Sequence, residues 1–183
     1  MKVLSRTSRH QTTVEDLREL CRKTTRLERE KYDFSLHPKG FPRGVLIELT
    51  GLGKTEVLVQ FLAENPKLRV AWIEESLTIY PYAMAQRGVS LARLLFIEAH
   101  QEVFWATFQV LRSHLFDCVV LSSKRNFDEK NLRRMQLEAE KGNIGVFLLT
   151  ESIHKAWPIA LQLKVNREIC SQGTKLDVIR ERT

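Results

Sequence analysis

The chain has 183 residues, 43% of them hydrophobic, which is enough to bury one good core and implies one domain. A net charge of +7 points toward an acidic partner, either nucleic acid or an acidic protein face. No apolar run nears the ~20 residues that span a bilayer, and Cys21, Cys118 and Cys170 are too few and too scattered for a disulfide framework or a zinc knuckle.

The opening "MKVLSRTSRHQTTVEDLREL" has no apolar centre of the kind a secretory signal needs. With the cysteine usage, this places the expected setting in a reducing cytoplasm, with no membrane association. From Thr13, the residues Val14, Leu17, Leu20, Cys21 and Leu27 recur at mostly helical spacing, and Thr13 with Asp16 suits a capping pair. Pro38, Gly40, Pro42 and Gly44 then punctuate "YDFSLHPKGFPRG", which reads as a linker. The expected division is a helix and linker over 1–40, followed by a core domain over 41–183.

The core alternates between strand and helix. Val45 to Leu49 is a strand, and "KTEVLVQFLAEN" is a helix stopped by Pro66. Leu68 to Glu74 is a strand, followed by a short helix around "PYAMAQRG" and a strand near Leu94 to Ile97. Glu102 to Phe116 is an amphipathic helix, Asp117 to Ser123 a buried strand, "DEKNLRRMQLEAEKG" a charged helix, and Asn143 to Thr150 another strand. "IALQLKVNREI" and "TKLDVIRER" close the chain as an antiparallel hairpin turning through Ser171, Gln172 and Gly173. Apolar strands separated by helices predict an α/β sandwich, with a mainly parallel sheet covered on both faces.

Gly53-Lys54-Thr55 stands where the first strand gives way to a helix, the setting of a phosphate-binding loop, G-x-x-x-x-G-K-[ST]. The spacing departs from that motif. Glu48 holds the position of the first glycine, and only Leu52 separates Gly51 from Gly53. A phosphate loop works by curling successive backbone N–H groups around an anion, and this turn is too short to do so. The plainer alternative is a tight connection in which Gly51 and Gly53 supply permissive dihedrals and Lys54 is solvated. A hydrolytic site also needs a carboxylate at the end of a buried strand for magnesium. After "DCVVL" the chain has Ser122 and Ser123, and Asp117 sits at the opposite end of that strand.

The stretches "GFPRGVLIELTG", "VAWIEESLTIYPYAMAQRGVSLARLLF" and "LRSHLFDCVVLSS" resemble, in order and nearly ungapped, the core of the RecA-like family. "FPRGVLIEL", "NLRRMQLEAEKGNIGVFLL" and "IALQLKV" resemble its ImuA branch of mutagenesis accessory proteins most, over roughly Gly40 to Arg167. The resemblance implies a RecA-like sandwich. It aligns Lys54 and Thr55 with the phosphate-loop lysine and threonine, Ser76 with the water-activating glutamate, Ser122 with the magnesium aspartate, and Glu151 with the γ-phosphate-sensing glutamine. Gly51, Gly53, Lys54 and Thr55 are therefore expected to be vestigial, with no catalysis, no metal and no ATP as cofactor.

The expected function is that of an adaptor in SOS-induced translesion synthesis. Its partners would be RecA, an ImuB-like Y-family polymerase homologue and, indirectly, an error-prone replicative-type polymerase. DNA contact is expected to be weak at most, because "KRNF" and "ESIHKAWP" are too short to be mobile DNA-binding loops. Lys124, Arg125, Lys155, Arg133 and Arg134 read mainly as a solvated charged face. Two other readings stay open: a nucleotide-binding regulator that does not hydrolyse, and a SulA-type inhibitor of the division GTPase FtsZ.

Leu17, Leu20 and Leu27 are candidate anchors by which the N-terminal helix would dock on RecA or on another copy, with packing on its own domain as the equal alternative. Trp105 is a further candidate anchor. Trp72, Trp105, Trp157, Phe104 and Phe108 are assigned to the core rather than to base stacking, with an exposed anchor as the alternative for Trp105. His10, His37, His100, His114 and His154 show no ligand spacing and are expected in loops or on helix surfaces.

Overall fold

The computed structural model describes residues 29–124, 127–155, 157–167 and 174–182. Leu17, Leu20 and Leu27, the helix expected around them, and the turn through Ser171 lie outside these residues. In chain order the elements are β1 (Lys31–Tyr32), β2 (Phe41–Pro42), β3 (Leu46–Thr50), α1 (Lys54–Glu64), β4 (Val70–Glu74) and α2 (Pro81–Gln86). There follow β5 (Leu94–Glu98), α3 (Val103–Ser113), β6 (Cys118–Ser122), α4 (Glu129–Gly142), β7 (Gly145–Leu149), β8 (Ile159–Arg167) and β9 (Thr174–Glu181). The α3 helix stops short of the expected Phe116 because His114 adopts a left-handed conformation, φ 51°, that ends it.

Continuous apolar runs buried on both sides are what a parallel sheet needs, and β3, β4, β6 and β7 are buried at every position except the last residue of β6. The sheet has seven strands in the order β5-β4-β6-β7-β3-β8-β9. The expected edge hairpin is present, but its first strand joins the parallel set. β8 pairs parallel with β3, and β9 alone runs antiparallel, against β8.

One face of the sheet buries Ile47, Leu49, Val120 and Phe147 beneath Val57, Leu58, Phe61 and Leu62 of α1. The other face buries Leu46, Ala71, Ile73, Val119, Leu121 and Leu148 beneath α3 and α4, which supply Val103, Phe108, Leu111, Leu132 and Met135. No described helix is long and apolar enough to cross a membrane.

The segment read as a linker is instead part of the packing. β1 and β2 form a small antiparallel ribbon, and Tyr32, Phe34 and Phe41 from it are buried in the first core. Phe41 lies against Phe61 and Phe147, with ring centroids 5.2 and 5.4 Å away. Burying an aromatic side chain of this kind contributes about 2 kcal/mol, so the ribbon is held by its side chains although its glycines and prolines mark turns. Tyr32 Oη also donates to the carbonyl of Asp117 and accepts from the Gly145 N–H, tying the ribbon to the amino ends of β6 and β7.

The connection from β7 to β8 has no helix among its described residues, 150–155 and 157–158. It runs as a strap along the α4 side of the sheet and brings Thr150 and His154 onto Glu48 of β3.

Candidate functional site

The Gly51-Leu52-Gly53 turn follows β3, a central strand, and opens directly into α1. Gly51 and Gly53 have φ of 92° and 89°, a region in which side chains are strained. A Cβ on Gly51 would lie 2.4 Å from the Val165 carbonyl oxygen, so the turn is pressed against β8. The helix begins at once, with the Val57 N–H donating to the Gly53 carbonyl. Gly51, Leu52 and Gly53 are thus the whole connection between β3 and α1.

Lys54 differs from the expectation of a solvated side chain. Its ammonium donates to the Thr150 carbonyl at 3.0 Å and to Glu151 Oε1 at 2.6 Å. The lysine side chain is 16% exposed and that of Glu151 85% exposed. The hydrogen bond from Lys54 and its charge, with a contribution from Lys124, hold the Glu151 carboxyl below its ordinary range. Thr55 lies half-buried in the first turn of α1.

Ser122 closes β6, half-buried and in register with Glu74 on β4 and Leu149 on β7. Ser76 is exposed beyond β4. The glycine turn, Glu151, Ser122 and Ser76 thus follow β3, β7, β6 and β4, four neighbouring strands, along their carboxyl edge. This is where an open α/β sheet offers a ligand crevice. The structure brings Lys54 and Glu151 into contact, while the two serines stand one and two strands further out.

The glutamates beside Ser76 are engaged in other ways. Glu74 is buried and accepts from Trp72 Nε1 at 2.9 Å and from Thr78. Glu75 accepts from Ser123 Oγ at 2.5 Å. Among the described residues no group of His, Cys, Asp and Glu side chains is arranged to hold a metal.

Sequence reasoning missed a polar cluster beneath the strap. Glu48 on β3 is fully buried and accepts from Thr150 Oγ1 at 2.9 Å and Gln162 Nε2 at 2.5 Å. His154 meets the same carboxyl group through its backbone N–H at 3.2 Å and through Nδ1 at 2.5 Å. The signal was a lone glutamate inside "VLIEL", a position where a buried acid requires partners. The partners come from elements more than a hundred residues away.

Among the histidines, His37 and His154 lie in connections, as expected, but their side chains are packed against other groups. His37 is buried and stacks on Phe41 at 5.5 Å, and His154 belongs to the Glu48 cluster. His100 and His114 sit at positive-φ positions in connections. His10 lies outside the described residues.

The tryptophans divide differently from the expectation. Trp72 is buried, but Trp157 is 49% exposed and does not fill the core. Trp105 is 61% exposed on α3, so it does not fill the core either and stands at the surface, as the alternative for it had it. Arg133 and Arg134 are not simply solvated. Arg133 lies over the Trp157 ring at 4.7 Å, and Arg134 over Phe108 at 4.4 Å.

Fold and site together define an α/β domain with a mainly parallel sheet and a short glycine-bracketed strand-to-helix turn, whose lysine is bonded within the chain. Comparison with protein-family models finds no match, and comparison with curated proteins finds none either.

Proposed function

We propose that this chain is a non-catalytic accessory protein of the RecA-like, ImuA type, an adaptor in SOS-induced translesion synthesis. Its partners on this reading are RecA and an ImuB-like Y-family polymerase homologue, and through the latter an error-prone replicative-type polymerase. The protein acts in the cytoplasm and uses no nucleotide. The ordered sequence resemblance over Gly40 to Arg167 supports the family assignment.

One observation carries the non-catalytic half of the reading. Lys54, the group that would reach outer phosphates, donates instead to Glu151 and the Thr150 carbonyl. Glu151 stands where a neutral glutamine would sense the γ-phosphate, and a carboxylate there repels the ligand that the lysine would attract. Ser122 in place of the magnesium aspartate leaves the nucleotide's charge without its usual counter-ion site.

Co-purification of the full chain with RecA and with an ImuB-like protein, with FtsZ as the comparison, tests the adaptor half. Capture of the first two is expected. Capture of FtsZ alone, with inhibition of its GTPase, would overturn the adaptor reading in favour of a division inhibitor.

A further inference from the structure

The sheet ends on β5 at one side and on β9 at the other, and the two edges differ in kind. An edge strand offers unpaired backbone groups to other chains, and proteins guard such strands with charges, prolines or bulges. β9, "TKLDVIRE", carries Lys175, Asp177, Arg180 and Glu181, and its register with β8 shifts between Gln162 and Leu163. β5, "LLFIE", carries only Glu98 at its end, has no proline, and keeps an unbroken register with β4. Among the described residues no strand pairs with its outer side. Every position of β4 is buried, whereas in β5 Leu95 is 45% exposed and Leu94, Phe96 and Ile97 are half-buried. The result is an apolar, unguarded sheet edge.

We infer that β5 pairs with β5 of a second copy of this chain, antiparallel, about a two-fold axis normal to the sheet at Phe96. Leu94 and Phe96 pack toward the first core and Ile97 toward the second, and alternation puts Leu95 on the face of Ile97. Directly paired residues share a face, and this axis keeps the α1 face of one copy beside the α1 face of the other. It sets Phe96 opposite itself and Leu95 opposite Ile97 of the second copy. Apolar side chains therefore meet apolar side chains on both faces, and the open backbone edge of each copy completes that of the other.

Charge favours a second copy as the occupant. Arg93 precedes β5 and Glu98 ends it. Antiparallel copies set the cationic end of one strand beside the acidic end of the other, whereas parallel copies would bring like ends together. From Leu91 to Leu111, a span that holds β5 and nearly all of α3, the charged residues are Arg93, Glu98 and Glu102. The chain's net charge of +7 is therefore carried elsewhere and does not repel a copy at this edge. A ladder of five residues is about 17 Å long, so the interface is small and the dimer weak and dependent on concentration. The inference concerns the chain alone and does not depend on the adaptor reading.

The test is sedimentation velocity of the full chain over a series from about 1 to 100 μM. A reversible monomer–dimer equilibrium is expected, weakened about ten-fold or more by Leu95→Lys, which puts a charge on the edge. Leu95→Thr, a β-branched strand former without the apolar surface, should weaken it less and decides the matter if Leu95→Lys does not fold. Val178→Lys is the control, since Val178 is 46% exposed on the opposite edge strand, and it should leave the dimer unchanged. A chain that stays monomeric throughout would overturn the inference, even if its β5 edge captured a strand of another protein. A dimer that the Leu95 variants leave intact, or that Val178→Lys weakens equally, would overturn it as well.

Discussion

Lys54 and Glu151, 97 positions apart in the chain, meet in a 2.6 Å charge-assisted hydrogen bond across the carboxyl ends of β3 and β7. The pair closes on itself the one lysine that a phosphate-loop turn would present to a ligand. Because Glu151 is largely exposed, water and salt screen the pair, and Glu151→Gln is expected to lower stability by less than about 1 kcal/mol. The carboxyl is held below its ordinary value of 4.5, so its contribution is present above that pH and fades as pH falls through the lowered folded value. Urea denaturation of wild type and Glu151→Gln at neutral and acid pH measures both effects. The difference between the two proteins should shrink at low pH.

Glu48 is the opposite case, a fully buried carboxyl group whose partners Thr150 and Gln162 are buried and whose partner His154 is largely so. Glu48→Ala removes the acceptor of the Thr150 hydroxyl and the His154 N–H and one of the two acceptors of the Gln162 amide, and is expected to cost about 3 kcal/mol. His154→Ala removes one of these donors and should cost less. A double-mutant cycle between the two by chemical denaturation should give a coupling of about 1 kcal/mol or more, since both act on one network.

Two glycines with similar backbone angles should respond differently to alanine. Gly51 and Gly88 have φ of 92° and 85°, and each would suffer backbone strain of about 1 kcal/mol. At Gly51 the new Cβ also meets the Val165 carbonyl oxygen at 2.4 Å, while at Gly88 it meets nothing within 4 Å. Thermal or urea melts should therefore show Gly51→Ala destabilised by at least ~2 kcal/mol and Gly88→Ala by roughly half as much or less.

His37 supplies a pH signature. Burial holds its imidazole below the ordinary 6.5, and Nε2 has no hydrogen-bond partner among the described residues. The folded state therefore resists protonation that the unfolded chain accepts. Stability is full above pH 6.5 and declines as pH falls from there toward the folded value. Denaturation midpoints at pH 7.5 and 5.5 should fall more in wild type than in His37→Phe, which keeps the ring against Phe41 and removes the titration.

Much of the fold was legible because it is local. The apolar runs "VLIEL", "VAWIE" and "CVVLS" show their burial in composition, and the charged run "DEKNLRRMQLEAEKG" shows the span of α4. The shortened glycine turn was readable for the same reason, as spacing alone decides whether a backbone can encircle a phosphate. What sequence could not show depends on distant partners. The ribbon around Tyr32 and Phe41 looked like a linker because its prolines and glycines are local signals and its contacts with Phe61 and Phe147 are not. The strap looked like a short loop because its anchor, His154 on Glu48, joins residues 106 apart. The partner of Lys54 was unreadable for the same reason.

Whether Lys54 is closed to nucleotide can be read by calorimetric titration of the full chain with Mg·ATP, beside Lys54→Ala. No saturable heat is expected from either protein, and no phosphate release on incubation. Saturable binding by the wild type that Lys54→Ala abolishes would contradict a pseudo-ATPase, because Lys54 would then be giving up Glu151 to hold a nucleotide.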